Sequence, residues 1–209
     1  MSRPKNTDTI EGRRRREEKY QRILDAALKV FSQKGFFESK ISEIAIEAGV
    51  ADGTIYLYFK NKDDLLILLF ESKLEAVNEG LRSVLKSVTD PKEGLREIIN
   101  FHLNLAITDP DLTAFITNET RRSNKFMKDY AKEQLADYLG QWQLILDEGR
   151  INGLFHSNFS SSIVKHLLFG ALDHTCGVWV NNPNRNPQDL SEVGEQLTTL
   201  FLRGLATQS

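Results

Sequence analysis

Apolar residues recur three and four positions apart along most of the chain, and no segment alternates apolar and polar residues as a half-buried strand does. The first apolar stripe consists of Ile23, Ala27, Val30 and Phe31. It predicts a helix from about residue 18 to residue 34, and Gly35 is expected to end it because glycine readily adopts the left-handed backbone of a helix C-terminus. The periodicity along the whole chain predicts an all-α protein with nine helices.

Two short helices are predicted between residues 39 and 59. Ser39 is the predicted N-cap of the first, because a serine hydroxyl accepts a hydrogen bond from a free backbone N–H. Gly49 is expected to end that helix, and the next one is expected from about Asp52 to Phe59. The few residues around Gly49 are too few for antiparallel packing. Such a pair on a preceding helix is a helix-turn-helix, in which the later helix enters a DNA major groove.

The later of these two helices has more aromatic residues than it can bury. Ile55 and Phe59 lie four positions apart and are predicted to anchor it in the core. The residues left facing outward are Gly53, Thr54, Tyr56, Leu57 and Tyr58. Exposed tyrosines suit a partner with both an apolar face and polar groups, and the edge of a base beside its phosphate has both.

The chain after residue 61 predicts six further helices, and Asn61 is the expected cap of the first. Their expected ranges are 62–85, 91–108, 111–122, 124–152, 160–180 and 189–206. Pro91 and the pair Asp109–Pro110 mark starts and breaks, and Gly153 is expected to end the longest of these helices.

Charge is unevenly distributed along the chain. Residues 1–62 contain thirteen Lys and Arg against nine Asp and Glu, a balance of +4, whereas the remaining residues have a balance of −6. A basic head suits a phosphate-bearing partner, although uneven charge is also common on a solvated surface. The run from Arg13 to Arg16 has two interpretations. It either binds DNA phosphates or a narrow minor groove as a flexible arm, or it is a solvated tail or a helix start paired with Glu17 and Glu18.

The segment KISEIAIEAGVADGTIYLYFKNKDDLL, residues 40–66, resembles the DNA-binding region of the tetracycline-repressor (TetR) family of bacterial regulators. The shared positions are Ile44, Ala45, Ala48, Gly49, Val50, Gly53, Tyr56, Phe59 and Lys62. The resemblance implies phosphate contacts by Ser39, Thr54, Tyr58 and Lys62, and groove contacts by Ala51, Asp52, Gly53, Tyr56 and Leu57. Asp52 stands where many relatives have a basic or neutral polar residue, and its carboxylate either accepts from a cytosine amino group or caps the recognition helix.

The last two predicted helices each present an apolar face with small residues that permit close helix approach. On the eighth helix this face contains Ile163, Leu167, Gly170, Ala171, His174, Gly177 and Val178. On the ninth it contains Val193, Leu197, Leu200, Phe201 and Gly204. The two faces either pack against each other within one chain or form a four-helix interface with a second copy related by a twofold axis. TetR-family members dimerise through these two helices and read pseudo-palindromic operators, so the resemblance implies a homodimer through residues near 160–180 and 189–206, bound to double-stranded DNA.

Large apolar residues are frequent from residue 70 onward, and they form either plain core or the wall of a ligand cavity. The cavity candidates are Phe70, Leu74, Phe101, Leu105, Phe115, Leu139, Trp142, Phe169 and Trp179. Cations gather at the expected junction of the sixth and seventh helices, namely Arg121, Arg122, Lys125 and Lys128. They either pair with acidic neighbours at the surface or form a cationic mouth that binds a phosphorylated head group.

The segments TNETRRSNKFMK, FGALDHTCGVW and ADGTIYLYFKNK resemble those of the TetR-type fatty-acid-degradation repressors, which release DNA on binding a long-chain acyl-CoA. The resemblance implies a repressor of fatty-acid degradation genes with that effector and no cofactor. A multidrug-type regulator that senses other hydrophobic compounds is the alternative, and an uncoupled carrier or DNA-coating protein is a third candidate. We expect a basic flexible arm at residues 1–17, a helix-turn-helix domain at 18–63 and a ligand-binding and dimerisation domain at 64–209.

Patterns typical of enzymes and membrane proteins are missing. The four histidines show no HExxH spacing, and neither a Gly-x-Ser-x-Gly motif nor a phosphate-cradling glycine loop occurs. His174 and Cys176 lie two positions apart, which on a helix directs them away from each other, so we expect neither a metal site nor catalysis. No apolar run reaches the ~20 residues of a membrane helix, and residues 1–10 lack an apolar signal segment, which predicts a cytoplasmic protein.

Overall fold

The structure is a computed structural model that describes the backbone of residues 10–122 and 125–207 and the side chains of residues 10–118 and 133–207. Within these residues the chain forms nine α-helices and no strand, which confirms the predicted all-α class. The helices are α1 (Ile10–Lys34), α2 (Ile41–Ala48), α3 (Asp52–Ile55), α4 (Lys62–Leu85), α5 (Pro91–Thr108), α6 (Pro110–Arg122), α7 (Lys125–Ile151), α8 (Ser161–Val180) and α9 (Pro187–Leu205).

The predicted bounds of α4 and α5 agree with the structure, and those of α6 to α9 differ by at most two residues. Local chemistry at the helix ends explains this agreement. The amide oxygen of Asn61 accepts from the N–H of Asp64 at 2.8 Å and caps α4. Asp90 caps α5 in the same way, directly before a proline at the first helical position. Gly153 ends α7 with a left-handed φ of 70°.

Helix α1 begins at Ile10, whereas the apolar pattern predicts a start near residue 18. Polar residues support the additional turns, because Arg15 pairs with Glu11 and Arg14 pairs with Glu18, each at a spacing of four residues. The prediction of a flexible arm is therefore wrong for residues 10–17, which are helical. Residues 1–9 of that arm lie outside the described residues.

Helix α3 is shorter than predicted, because it ends at Ile55 and residues 56–58 form a turn. The N–H of Tyr58 donates to the carbonyl of Ile55 at 3.0 Å, which is the tighter spacing of a 3₁₀ turn. β-Branched and aromatic residues make up most of positions 54–58, and such residues propagate an α-helix poorly. The N-cap of α3 is Ala51, so the cap interpretation of Asp52 is wrong: Asp52 is already the first helical residue.

Ser39 is not the N-cap of α2, contrary to the prediction. Its hydroxyl donates to the carbonyl of Gly35 at 2.6 Å, and the N-cap position belongs to Lys40. The carboxylate of Glu43 accepts from the N–H of Lys40 at 2.9 Å, as the third residue of a capping box does. Ser39 therefore closes the end of α1 rather than the start of α2.

The chain divides into two compact units, one up to Phe70 and one from Glu71 onward. The first unit contains α1, α2, α3 and the beginning of α4, with α1 packed on α2. Its large fully buried side chains are Ile23, Leu24, Phe31, Ile44, Ile55, Phe59, Leu65, Leu66 and Leu69. The domain boundary predicted after residue 63 stays a prediction.

The second unit is organised around α5, which packs against α6, α7, α8 and α9. Its fully buried apolar residues include Ile98, Ile99, Phe115, Trp142, Leu168 and Leu172. The end of the chain is bound to the loop after α7, because the N–H of Thr207 donates to the carbonyl of Leu154 at 3.0 Å. Among the described helices, none has an apolar stretch long enough to cross a bilayer.

Two glycines of α7 should respond oppositely to substitution by alanine. A methyl group on Gly149 would overlap the ring of Phe155, which is buried, whereas a methyl group on Gly140 would meet no atom within 4 Å. We expect Gly149→Ala to lower the free energy of unfolding by about 2 kcal/mol through overpacking. Gly140→Ala should raise it by up to about 1 kcal/mol, because alanine is the better helix former. Urea denaturation followed by circular dichroism measures both, and two stabilised variants would contradict this packing.

Candidate DNA-binding surface and ligand cavity

The turn between α2 and α3 fixes the direction of the recognition element. Gly49 has a left-handed φ of 63°, which glycine adopts without steric cost. The N–H of Val50 donates to the carbonyl of Ala45 at 3.0 Å and closes the end of α2. Ile55 and Phe59 are both buried, as predicted, and hold the following turn against the core of the first unit.

Residues 51–58 form the candidate DNA surface of the first unit. Tyr56 is 57% exposed and Leu57 is 73% exposed, so two adjacent large side chains face outward on this surface. Residues 51–53 are exposed as well, and Thr54 and Tyr58 are half-buried. The surface thus combines aromatic, aliphatic and carboxylate groups. With the cap interpretation of Asp52 removed, its carboxylate belongs to this exposed set, and contact with a base stays a prediction.

Ser39 and Lys62 serve the fold of the first unit directly. The ammonium of Lys62 donates to the carbonyls of Phe36 at 2.7 Å and Ser39 at 2.9 Å, and it lies 4.4 Å from the centroid of the Phe36 ring. Ser39 is buried, and its hydroxyl donates to Gly35. Both residues therefore stabilise the loop between α1 and α2, and phosphate contacts by their side chains stay a prediction.

A cavity of about 60 Å³ lies in the second unit and is lined by residues of α4, α5, α6, α7 and α8. Three of the predicted ligand residues line it, namely Leu74, Leu105 and Phe169. Four others are buried in the surrounding core, namely Phe115, Leu139, Trp142 and Trp179. Phe101 instead lines an open groove of about 540 Å³ with residues of α9, and Phe70 belongs to the first unit. The ligand roles of all these residues stay predictions.

Polar residues form part of the cavity wall, and the apolar pattern did not indicate them. They are Asn78, His102, Thr113, Thr117, Tyr138 and Asp173. Nδ1 of His102 lies 3.1 Å from the hydroxyl oxygen of Tyr138, and the His102 ring packs edge-on against Trp142 and Phe169. The spacing of these residues along their helices could have indicated that His102 and Asp173 line the cavity. His102 precedes Leu105 by three positions and Asp173 follows Phe169 by four, so each pair shares a helix face.

Three titratable groups around this cavity have pKa values shifted toward their neutral forms. Burial lowers the pKa of His102 from 6.5 to about 4, and the charge of Asp173 opposes part of that shift. Burial also raises the pKa of the Tyr138 hydroxyl above its usual value and that of the Cys176 thiol to about 12. Beside the Asp173 carboxylate, these three groups therefore offer uncharged donors and acceptors among apolar side chains, which suits a ligand whose buried part is neutral.

Stability should depend on His102 in mildly acidic solution. Between pH 6.5 and about 4 the unfolded chain binds a proton on His102 that the folded chain does not bind. The free energy of unfolding should therefore fall as the pH falls through this window, by up to about 1.4 kcal/mol per pH unit. His102→Gln should remove this contribution, whereas His166→Gln, at an exposed position, should not. Urea denaturation at pH 7 and pH 5 tests this expectation. If the free energy of unfolding changed equally with pH in both variants, the burial of this imidazole would be contradicted.

The predicted cationic cluster lies at the junction of α6 and α7, since α6 ends at Arg122 and α7 begins at Lys125. The side chains of Arg121, Arg122, Lys125 and Lys128 lie outside the described residues. Both helices line the cavity through their described parts, α6 by Thr113 and Thr117 and α7 by Tyr138. A role of the cluster in ligand binding stays a prediction.

Both units match families of known proteins. Residues 23–69 match the family described as "Bacterial regulatory proteins, tetR family", and residues 70–204 match "YsiA-like protein, C-terminal region". The chain belongs to the TetR family of bacterial regulators. It is a DNA-binding transcriptional regulator and not an enzyme.

Individual relatives of this TetR-family regulator are similar over nearly the whole chain. The fatty acid metabolism regulator protein of Bacillus subtilis (strain 168) is 36% identical over 187 residues, which is 90% of this chain and 95% of that protein. The crystal structure of FadR from Bacillus subtilis in complex with stearoyl-CoA has a TM-score of 0.81 at 36% identity, covering 88% of this chain and 98% of that one. FadR from Bacillus halodurans has a TM-score of 0.80 at 35% identity, covering 89% and 99% of the two chains.

The TetR-family chain exposes large apolar residues on α8 and α9. Ile163, Leu167 and Val178 on α8 and Leu200 on α9 are each exposed by more than half. Gly170, His174 and Gly204 are also exposed on these helices, as the predicted interface requires. Five of the predicted interface residues are largely covered within the chain itself: Gly177 is buried, and Ala171, Val193, Leu197 and Phe201 are half-buried.

Proposed function

We propose that this protein represses genes of fatty-acid degradation and leaves its operator when it binds a long-chain acyl-CoA. The observation that carries the proposal is the combination of a largely apolar cavity in the second unit with close similarity to a regulator solved with stearoyl-CoA. A long acyl chain needs an enclosed apolar wall, and the CoA head needs cations outside it. Of the predicted cations, Arg121 and Arg122 are the last two residues of α6 and Lys125 is the first residue of α7, and both helices line the cavity.

Operator binding in this proposal uses two chains. Residues 51–58 of each chain would enter a major groove, and the exposed apolar faces of α8 and α9 would join the two chains about a twofold axis. A closed dimer holds its two recognition elements at a fixed separation, and operator half-sites demand such a spacing. Tyr56, Leu57 and Asp52 are the exposed side chains that would face bases, and Thr54 and Tyr58 would face phosphates.

The size of the cavity supports a coupled change of conformation. Its volume of about 60 Å³ is several times smaller than the roughly 300–1,000 Å³ typical of ligand pockets. An acyl chain would therefore have to separate the helices around it. Helix α4 lines the cavity through Leu74, Val77 and Asn78, and the same helix begins at Lys62 in the first unit. Displacement of α4 would change the separation of the two recognition elements and favour release of DNA.

The test is fluorescence anisotropy on labelled DNA from upstream of the protein's own gene, at fixed salt, with stearoyl-CoA, free CoA and stearate as separate additions. A coupling of about 1–3 kcal/mol would weaken operator binding roughly 5- to 150-fold. Release by stearoyl-CoA alone supports the proposal. Release by a cationic dye but not by stearoyl-CoA would indicate a multidrug-type regulator, and ligand-independent affinity would indicate a protein without coupling.

Substitutions can distinguish residues that bind the effector from residues that bind DNA. Arg121→Ala/Arg122→Ala should weaken the response to stearoyl-CoA and leave operator affinity without ligand unchanged. Lys86→Ala, at an exposed position after α4, is the control for loss of a positive charge in the second unit. Loss of operator binding together with the ligand response would contradict the assignment of these arginines to the effector.

A further inference from the structure

The four consecutive arginines of α1 are not equivalent. Arg14 forms an ion pair with Glu18 at 3.3 Å, and Arg15 forms one with Glu11. Arg13 and Arg16 are exposed, and neither forms an ion pair with any part of the chain that the structure describes. Two of the four positive charges are therefore neutralised locally, and two are available to an external anion.

The two available arginines share a face of α1. Residues of an α-helix advance by about 100° each, so Arg13, Arg16 and Tyr20 lie within about 60° of one another. Arg14 and Arg15 point away from this face, toward their acidic partners four residues away. One helical face thus presents two cations followed by an aromatic ring.

This face of α1 adjoins the candidate DNA surface within the first unit. The guanidinium carbon of Arg16 lies 5.7 Å from the centroid of the Tyr58 ring. The Tyr20 ring lies 6.3 Å from the Tyr58 ring and stacks on Phe59 at 5.2 Å. Tyr58 is the last residue of the surface, so the arginines continue it along α1, with Arg13 about one helical turn beyond Arg16.

We propose that Arg13 and Arg16 are phosphate-binding residues that extend the DNA surface along α1, beyond the bases contacted from the recognition turn. This proposal rests on the proposed operator binding. A guanidinium above a tyrosine ring keeps its full charge and its N–H donors at the ring edge, and it is well suited to a phosphate. The ring also restricts the side chain, which reduces the entropy lost on binding.

Two double variants with equal loss of charge test the proposal. Arg13→Gln/Arg16→Gln removes the available pair, and Arg14→Gln/Arg15→Gln removes the neutralised pair. Each phosphate contact contributes about 0.9 to the slope of log affinity against log salt, so loss of the first pair should reduce the slope by about 1.8 per bound chain. At about 0.15 M monovalent salt this corresponds to roughly 30-fold weaker binding. The second double variant should bind within about threefold of the unaltered protein.

Further measurements distinguish loss of phosphate contacts from a change of net charge or of helix content. Arg13→Lys/Arg16→Lys retains both positive charges and should restore most of the salt slope, and circular dichroism of every variant identifies any in which the first turns of α1 unfold. Equal slopes in the two glutamine variants would overturn the proposal, because net charge alone would then explain binding. Unaltered protein that binds the operator and releases it with stearoyl-CoA, together with a wild-type slope in Arg13→Gln/Arg16→Gln, overturns this inference alone. Absence of operator binding by the unaltered protein overturns the proposed function as well.

Discussion

Trp142→Ala is expected to lower the free energy of unfolding of the second unit by about 3–5 kcal/mol, the cost typical of removing a large aromatic side chain from a close-packed core. Trp142 is fully buried. Its ring lies 5.8 Å from His102, 5.4 Å from Tyr138 and 6.0 Å from Phe169, in edge-on arrangements that rigid packing maintains. Alanine would leave a void among these rings, which cannot all move inward at once.

Urea denaturation followed by circular dichroism measures this loss, and the fluorescence of Trp179 remains as a reporter of the second unit. Leu144→Ala is the matched control, since Leu144 lies two positions away on α7 and is 70% exposed. That substitution should change the free energy by less than about 0.5 kcal/mol. A loss of under 1 kcal/mol in Trp142→Ala would mean that the ring cluster collapses to fill the space.

Lys62→Met should lower the stability of the first unit by about 3 kcal/mol, even without DNA. The ammonium of Lys62 donates to two carbonyls of the loop between α1 and α2, those of Phe36 and Ser39. Hydrogen bonds to a charged group each contribute about 1.5–3 kcal/mol, and methionine retains the length of the side chain but donates to neither carbonyl. The loop before α2 should therefore loosen.

Hydrogen exchange of the α2 amides, residues 41–48, measures this effect directly, because faster exchange reports local opening. Lys60→Met is the matched control, since Lys60 is an exposed lysine two positions away. Operator affinity should fall in Lys62→Met as the recognition turn loses its support. Unchanged exchange with weaker DNA binding would contradict the structural role and would assign Lys62 to a phosphate instead.

Short-range sequence signals predicted most helix boundaries accurately. They failed where the helix extends beyond its apolar stripe. α4 and α5 are bounded by Asn61, Asp90 and Pro91, whose effects act within one turn of the backbone. The start of α1 has no apolar residue between Gly12 and Lys19, so the stripe contains no signal there, and ion pairs along the helix support it instead. α3 is too short for periodicity to distinguish a helix from a 3₁₀ turn.

The candidate ligand residues show a second limit of prediction from the sequence. Leu74, Leu105 and Phe169 line the cavity, whereas Phe115 and Trp142 fill the core beside it, although all five lie at similar helical spacing. Periodicity identifies the inward face of a helix, but not how far along that face a gap between several helices opens. That distance depends on the packing of residues far apart in the chain.

By itself, the sequence determined the helical class, the helix-turn-helix, the basic head and the family, because these depend on local periodicity, turn residues and composition. Only the tertiary structure decided which charged and polar groups are engaged. Lys62 is bound to carbonyls of a loop more than twenty positions earlier, and the pKa of His102 is lowered because helices distant in sequence desolvate its ring. Partner choice and burial are long-range properties, and the free energy that decides them comes from packing rather than from local conformation.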